Sequence, residues 1–211
     1  MNRDLFFSYL WNQYIQVTPQ AQRIQALFNA RGEDVINDHV AFRTFNIEGF
    51  NLEAVTPVLK SLGYEIFDSY QFPDKHLKAH AFLVPDDQAA PKIFFSEIEC
   101  EKLSTESQRV IEKITANLSG TLTLDHLVGS YPFQKPTQSD YLQLAAESEY
   151  AAWLSTMGYQ ANHFTVNINV LKTLPTMEAV VELLQSNGYS MNSVGGIIKG
   201  TETDYLVQSS T

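Results

Sequence analysis

Strict alternation of polar and apolar side chains begins at Asp38. His39, Ala41 and Arg43 fall on one face and Val40, Phe42 and Thr44 on the other, which predicts a strand over 38–45. The pattern returns at 163, where His163, Thr165, Asn167 and Asn169 alternate with Phe164, Val166, Ile168 and Val170. After the first alternation the period lengthens: Leu52, Val55, Leu59 and Leu62 mark one face of a helix over 51–62, with a kink expected at Pro57. Three more strands are expected at 64–70, 79–84 and 93–99, the last two separated by the turn-forming Pro85-Asp86-Asp87. The stretch therefore reads βαβββ.

Helix signals frame this unit. Residues 1–32 read as two helices, the second with Thr18 as N-cap, Pro19 in its first turn and Gly32 just past its end. A helix capped by Ser104 or Thr105 should run to about 118, ahead of Gly120, and one capped by Ser139 to 157, ahead of Gly158. After the second alternation, Pro175 can open a helix bearing Val180, Val181 and Leu184, and a strand is expected at 204–208.

The two alternating strands head matching segments. From His39 to the glycine of Gly63-Tyr64 is 24 residues, and from His163 to the glycine of Gly188-Tyr189 is 25. Such self-similarity implies two pseudo-symmetric βαβββ modules, each contributing one ligand to a shared site. The expected architecture is an α+β half-barrel in a single domain over 1–211: N-terminal helices 1–34, a first module 35–100, connecting helices 101–160 and a second module 161–211. Transposed onto the second copy, the interval from Gly63 to Glu97 runs past Thr211, so the second module is expected to be incomplete.

Composition narrows the function classes. With 24 acidic against 14 basic residues, the net charge of −10 opposes binding to nucleic acid or anionic membranes. No signal-peptide pattern or membrane-length apolar run is present, and the lone Cys100 can form no internal disulfide, so a cytoplasmic setting is expected. Cys100 itself reads as a buried small residue.

The chemistry-bearing residues follow from the repeat. If the modules close a half-barrel, the polar strand faces line one cavity and bring His39 and His163 together. Neutral imidazoles suit Fe(II), Mn(II) or Zn(II), and two histidines with one carboxylate leave coordination positions open. Two ordinary strand histidines are the competing reading. Arg43 follows His39 on the same face, about 13 Å on at ~3.3 Å per residue, and suits the distal carboxylate of a substrate held at a metal. Asn167 stands at the equivalent place in the second copy, so a single anion clamp is expected. Glu97, among apolar neighbours, needs a partner, whether a metal, an arginine or backbone donors. His76, His80 and His126 lack repeat partners and read as structural, His80 least clearly so because its strand could line the cavity.

The segments Asp38-His39-Val40-Ala41-Phe42-Arg43-Thr44, Phe94-Phe95-Ser96-Glu97-Ile98-Glu99, Asn162-His163-Phe164-Thr165 and Leu206-Val207-Gln208-Ser209-Ser210-Thr211 resemble those of the 2-oxoadipate dioxygenase/decarboxylase family. The resemblance extends over nearly the whole chain and implies a fold similar to the vicinal oxygen chelate superfamily. It implies an Fe(II) enzyme that uses O2 to convert 2-oxoadipate, or a similar 2-oxo diacid, into 2-hydroxyglutarate and CO2. It assigns iron ligation to His39 and His163 and carboxylate recognition to Arg43. The third ligand it implies is a glutamate beyond Thr211, with Glu97 as the alternative within the chain; iron is then expected to be held weakly by these 211 residues. A metal-dependent isomerase or lyase on the same scaffold and a metal-free binding protein for small acids are the competing functions.

Overall fold

The computed structural model describes residues 1–129, 131–201, 203 and 207–211. In chain order its elements are α1 (Arg3–Val17), α2 (Pro19–Ala30), β1 (Asn37–Phe45), α3 (Leu52–Lys60), β2 (Glu65–Phe72), β3 (Leu77–Leu83), β4 (Lys92–Ile98), α4 (Thr105–Thr115), α5 (Leu124–Val128), α6 (Gln138–Glu147), α7 (Glu149–Met157), β5 (His163–Val166) and α8 (Met177–Ser186). The mixed α+β class expected from the periodicities is observed.

One five-stranded sheet, ordered β2-β3-β4-β1-β5, organises the first βαβββ stretch. β2, β3 and β4 are successively antiparallel, whereas β4 returns parallel to β1, pairing Ala41 with Phe94, Arg43 with Ser96 and Thr44 with Glu97. Paired residues share a face, so the β1 alternation propagates across the sheet. The face bearing Val40 and Phe42 is buried. Phe42 stacks on Phe95 at 5.3 Å and on Phe6 of α1 at 6.5 Å, and Leu52, Val55 and Leu59 of α3 join the same core. Asn51 caps α3 by accepting from the Ala54 amide at 3.1 Å, and Pro57 lies inside the helix. Burial of three apolar side chains outweighs its one missing backbone bond.

The chain divides into two compact units, one of residues 1–17 and 38–165, the other of residues 18–37 and 166–211. These units cut across the consecutive stretches expected from the repeat. The first unit holds the sheet core. The second has its own cluster of Phe28, Leu171, Leu174, Val180 and Leu184. Within it, buried Glu33 accepts from the backbone amides of Lys172 at 2.8 Å and Thr173 at 2.5 Å.

Several local expectations are corrected. The helix expected from Ser139 to 157 is two helices: Thr137 caps α6, and Ser148 ends it and caps α7 by accepting from the Ala151 amide at 3.2 Å. A serine oxygen placed to cap competes with helix continuation. The second alternating stretch is a strand only to Val166, because the Asn167 side chain accepts from the Asn169 amide at 3.1 Å and closes a 3-10 turn over Ile168–Val170. α8 starts at Met177 behind a Thr176 cap, two residues past Pro175. α5 was not anticipated. Most of the strand expected at 204–208 lies outside the described residues; Gln208 forms an isolated antiparallel bridge with Lys199. No helix among the described residues is long and apolar enough to cross a membrane.

The Ser148 cap fixes where α7 begins. Ser148→Ala should cost about 1 kcal/mol of stability, read as a lower urea midpoint at unchanged slope.

Candidate functional site

β1 and the segment leading into β5 are stitched together around their histidines. The Asn162 amide donates to the Ala41 carbonyl at 2.7 Å, the His39 amide donates to Thr165 Oγ1 at 2.9 Å, and that hydroxyl donates to the His39 carbonyl at 2.9 Å. These bonds set the two imidazoles edge to face, with ring centroids 5.3 Å apart and Nε2 atoms 3.3 Å apart. The expected pairing of His39 with His163 is thus present in the geometry of the first unit.

The protonation of the rings follows from their outer partners. His39 Nδ1 lies 2.9 Å from Asp38 Oδ2, and Lys92 Nζ stands 3.3 Å from Asp38 Oδ1. The hydrogen bond from His39, foremost, and the field of Lys92 hold the Asp38 carboxyl below the usual range despite burial. An ionised carboxylate only accepts, so Nδ1 of His39 donates to it. His163 repeats the arrangement with Asn162 Oδ1 3.1 Å from its Nδ1. Burial first, then His39 and Arg43, push the His163 pKa down to about 4. The two Nε2 atoms therefore face each other on the side away from Asp38 and Asn162.

This donor set fits a divalent ion. Nitrogens sharing an ion with bonds of ~2.1 Å stand roughly 3 to 3.4 Å apart, and Nδ1–H groups tied to oxygen acceptors are the usual outer partners of metal-binding histidines. Among the described residues no group of three or more His, Cys, Asp or Glu side chains could hold an ion.

Glu97, the alternative third ligand, is excluded by the sheet register. It pairs with Thr44, on the face opposite His39 and Arg43. There its Oε2 accepts from the Leu52 amide at 2.7 Å, at the start of α3, so backbone donors are its partner. Burial raises its pKa. His80 also lies off the face of His39 and Arg43, in keeping with a structural role: it pairs with Phe95, on the Phe42 face, and meets Ser69 Oγ at 2.8 Å. His126 accepts from the Thr123 amide at 3.1 Å at the head of α5, and His76 occupies a left-handed turn position at φ 53°. Burial pushes the Cys100 thiol up to about 12, unsuited to a nucleophile.

Arg43 lies with its guanidinium 3.9 Å above the Tyr150 ring and 5.0 Å from Trp153, both on α7. Burial lowers its pKa, against the opposing influence of Tyr150 and Glu149. It makes no ion pair among the described residues. Arg43, His163, Tyr150, Phe72, Phe94 and Ser96 line a cavity of about 120 Å³. Asn167 caps its turn and has no comparable place on a strand. Sequence reasoning missed Asp38, Asn162, Thr165, Tyr150 and Trp153. The first two carried a signal, since an Asx residue precedes the histidine in both copies.

The 2-oxoadipate dioxygenase/decarboxylase family model matches residues 9–128 and 121–211. The chain belongs to that family. Similar proteins include a chloroplastic 2-oxoadipate dioxygenase/decarboxylase of Arabidopsis thaliana, 36% identical over 188 residues, which cover 82% of this chain and 51% of that protein. A chloroplastic/amyloplastic counterpart from Oryza sativa subsp. japonica is 32% identical over 212 residues, covering 94% and 58%. The chain thus spans about half the length of these curated relatives. A crystal structure of the hydroxyglutarate synthase from Oryza sativa in complex with 2-oxoadipate matches with TM-score 0.85 and 27% identity over 97% of this chain and 76% of that one. A protein assigned to the glyoxalase superfamily from Ralstonia eutropha JMP134 matches in fold, with TM-score 0.76 and 21% identity over 92% and 70%.

Two predictions follow from the titration and the register. The unfolded chain protonates a histidine near 6.5 and the folded chain protonates His163 near 4, so the unfolded state binds the extra proton between these values. Stability of the metal-free chain should therefore fall as pH drops through that window, by at most about 1.4 kcal/mol per unit from this group. Urea midpoints at pH 6.5 and 5 should differ less in His163→Gln than in the parent. Glu97→Leu strands the Leu52 amide and should cost about 1 to 3 kcal/mol, yet leave divalent-ion affinity by calorimetry unchanged.

Proposed function

We propose that the chain forms an Fe(II)-dependent dioxygenase/decarboxylase site for 2-oxoadipate or a similar 2-oxo diacid. The observation that carries this reading is the convergence of two imidazole Nε2 atoms 3.3 Å apart in the same unit as a cavity lined by His163 and Arg43. The complex of the rice relative with 2-oxoadipate supports the substrate class. A cavity of about 120 Å³ suits a small acid better than a drug-sized ligand.

His39 and His163 would hold the ion, with Asp38 and Asn162 fixing their tautomers. A bound Fe(II) supplies O2 activation and polarisation of the 2-oxo acid. The chain's own residues supply the rest. Arg43, stacked on Tyr150 and without a carboxylate partner, is available to accept the distal carboxylate in a bidentate pair. The neutral His163 keeps a second positive charge from competing with the ion. Phe72 and Phe94 contribute apolar walls that exclude water from the chain between the substrate's two ends.

We also propose that 161–211 begins a second copy of the βαβββ module. β5 is followed by α8 and by Gly188 at φ 85°, as β1 is followed by α3 and by Gly63 at φ 86°.

The test is iron content and oxygen uptake with 2-oxoadipate, compared across variants. His39→Ala and His163→Ala should each lose the Fe(II) that the parent holds at equilibrium with the free ion. Arg43→Lys should keep the iron but lower kcat/KM about 10- to 100-fold, since a charge-assisted bidentate pair is worth about 1.5 to 3 kcal/mol. Retained iron in both histidine variants would refute the metal assignment.

A further inference from the structure

The cavity beside Arg43 reverses the charge of the molecule around it. The chain carries −10 overall, yet no Asp or Glu lines this cavity, while two cations do: Arg43 from β1 and Lys75 from the 3-10 turn Pro73–Lys75 between β2 and β3. The Lys75 ammonium stands 5.6 Å from the Tyr150 ring centroid, and the Arg43 guanidinium 3.9 Å from the same centroid. One aromatic ring thus serves both cations. Lys75, like Arg43, makes no ion pair among the described residues.

Two like charges gathered at one ring repel each other, and the ring quadrupole offsets only part of that repulsion. An anion between them removes it. The two cations also differ in kind. Arg43 is half-buried and held flat on Tyr150, giving a fixed bidentate donor, whereas Lys75 is exposed on a turn and is a point charge on a flexible stem. The buried group can set position, and the exposed one can add attraction that salt weakens.

We propose that Lys75 is a specificity-determining residue: it closes over the distal carboxylate bound at Arg43 and makes the cavity prefer 2-oxo diacids over 2-oxo monoacids of the same length. This rests on the diacid reading given under Proposed function and adds a residue from a different element to it. Phe72, which immediately precedes the turn, lines the same cavity, so the turn is seated at the cavity mouth.

Calorimetric titration of the full chain with 2-oxoadipate and with 2-oxohexanoate tests this directly. Lys75→Met should weaken 2-oxoadipate about two- to fivefold, the range of a solvent-exposed ion pair, and leave 2-oxohexanoate unchanged. Lys75→Arg should restore the preference, and raising salt should narrow the diacid advantage in the parent more than in Lys75→Met. Unchanged diacid affinity in Lys75→Met, with Arg43→Lys still weakened, would overturn this inference and leave the diacid reading standing. Equal loss on both acids would also overturn it. A parent chain that binds the monoacid as well as the diacid would overturn the diacid reading and this inference together.

Discussion

The two imidazoles face each other through Nε2 atoms 3.3 Å apart, with an oxygen acceptor behind each Nδ1. The rest of the site is organised to maintain this arrangement. Asp38 and Asn162 accept from the two Nδ1 atoms. Thr165 exchanges hydrogen bonds with both the amide and the carbonyl of His39, locking the backbone of one ligand strand to the segment that carries the other. Burial and Arg43 suppress the alternative state, in which His163 takes up a proton and becomes a donor.

The parallel pairing of β1 with β4 decides which polar groups belong to this site. Register partners share a face, so the match of Arg43 with Ser96 and of Thr44 with Glu97 sends the carboxylate to the helix-covered side. A one-residue slip of β4 would reverse this, placing Glu97 on the Arg43 face and taking Phe95 away from Phe42 with it. The stacked Phe6, Phe42 and Phe95 rings forbid that slip, because all three are fully buried on the α1 side. Core packing therefore sets the chemistry of the opposite face: it keeps the Glu97 carboxylate away from Arg43, which makes no ion pair among the described residues.

What was legible in the chain was whatever a short period encodes. The 38–45 alternation assigned His39 and Arg43 to one face, and the repeat singled out His163, because both signals are local. The failures share a different cause. Glu97 looked like a ligand because its strand is apolar, but which face it takes depends on pairing with a strand some 50 residues away. Ser148 looked like any helical serine until its side chain was seen to cap α7. The strand expected to run through Asn169 stops at Val166 because one amide side chain captures the Asn169 backbone. Tyr150 and Trp153 lie one helical turn apart on α7 and meet Arg43 only through tertiary packing, which no window of sequence records.

The difference between the two outer partners has an electronic consequence. Asp38 is ionised and shares its charge between His39 and Lys92, while Asn162 is neutral. A carboxylate behind an imidazole raises its basicity, and a carboxamide orients it without adding charge. On the other ring, burial first and then the fields of His39 and Arg43 hold the His163 pKa down. The asymmetry also limits the local charge: a second aspartate at 162 would set another anion beside the cavity that Arg43 and His163 line. Two matching sequence segments each supply a histidine, and the residue before each, ionised at Asp38 and neutral at Asn162, makes their surroundings unequal.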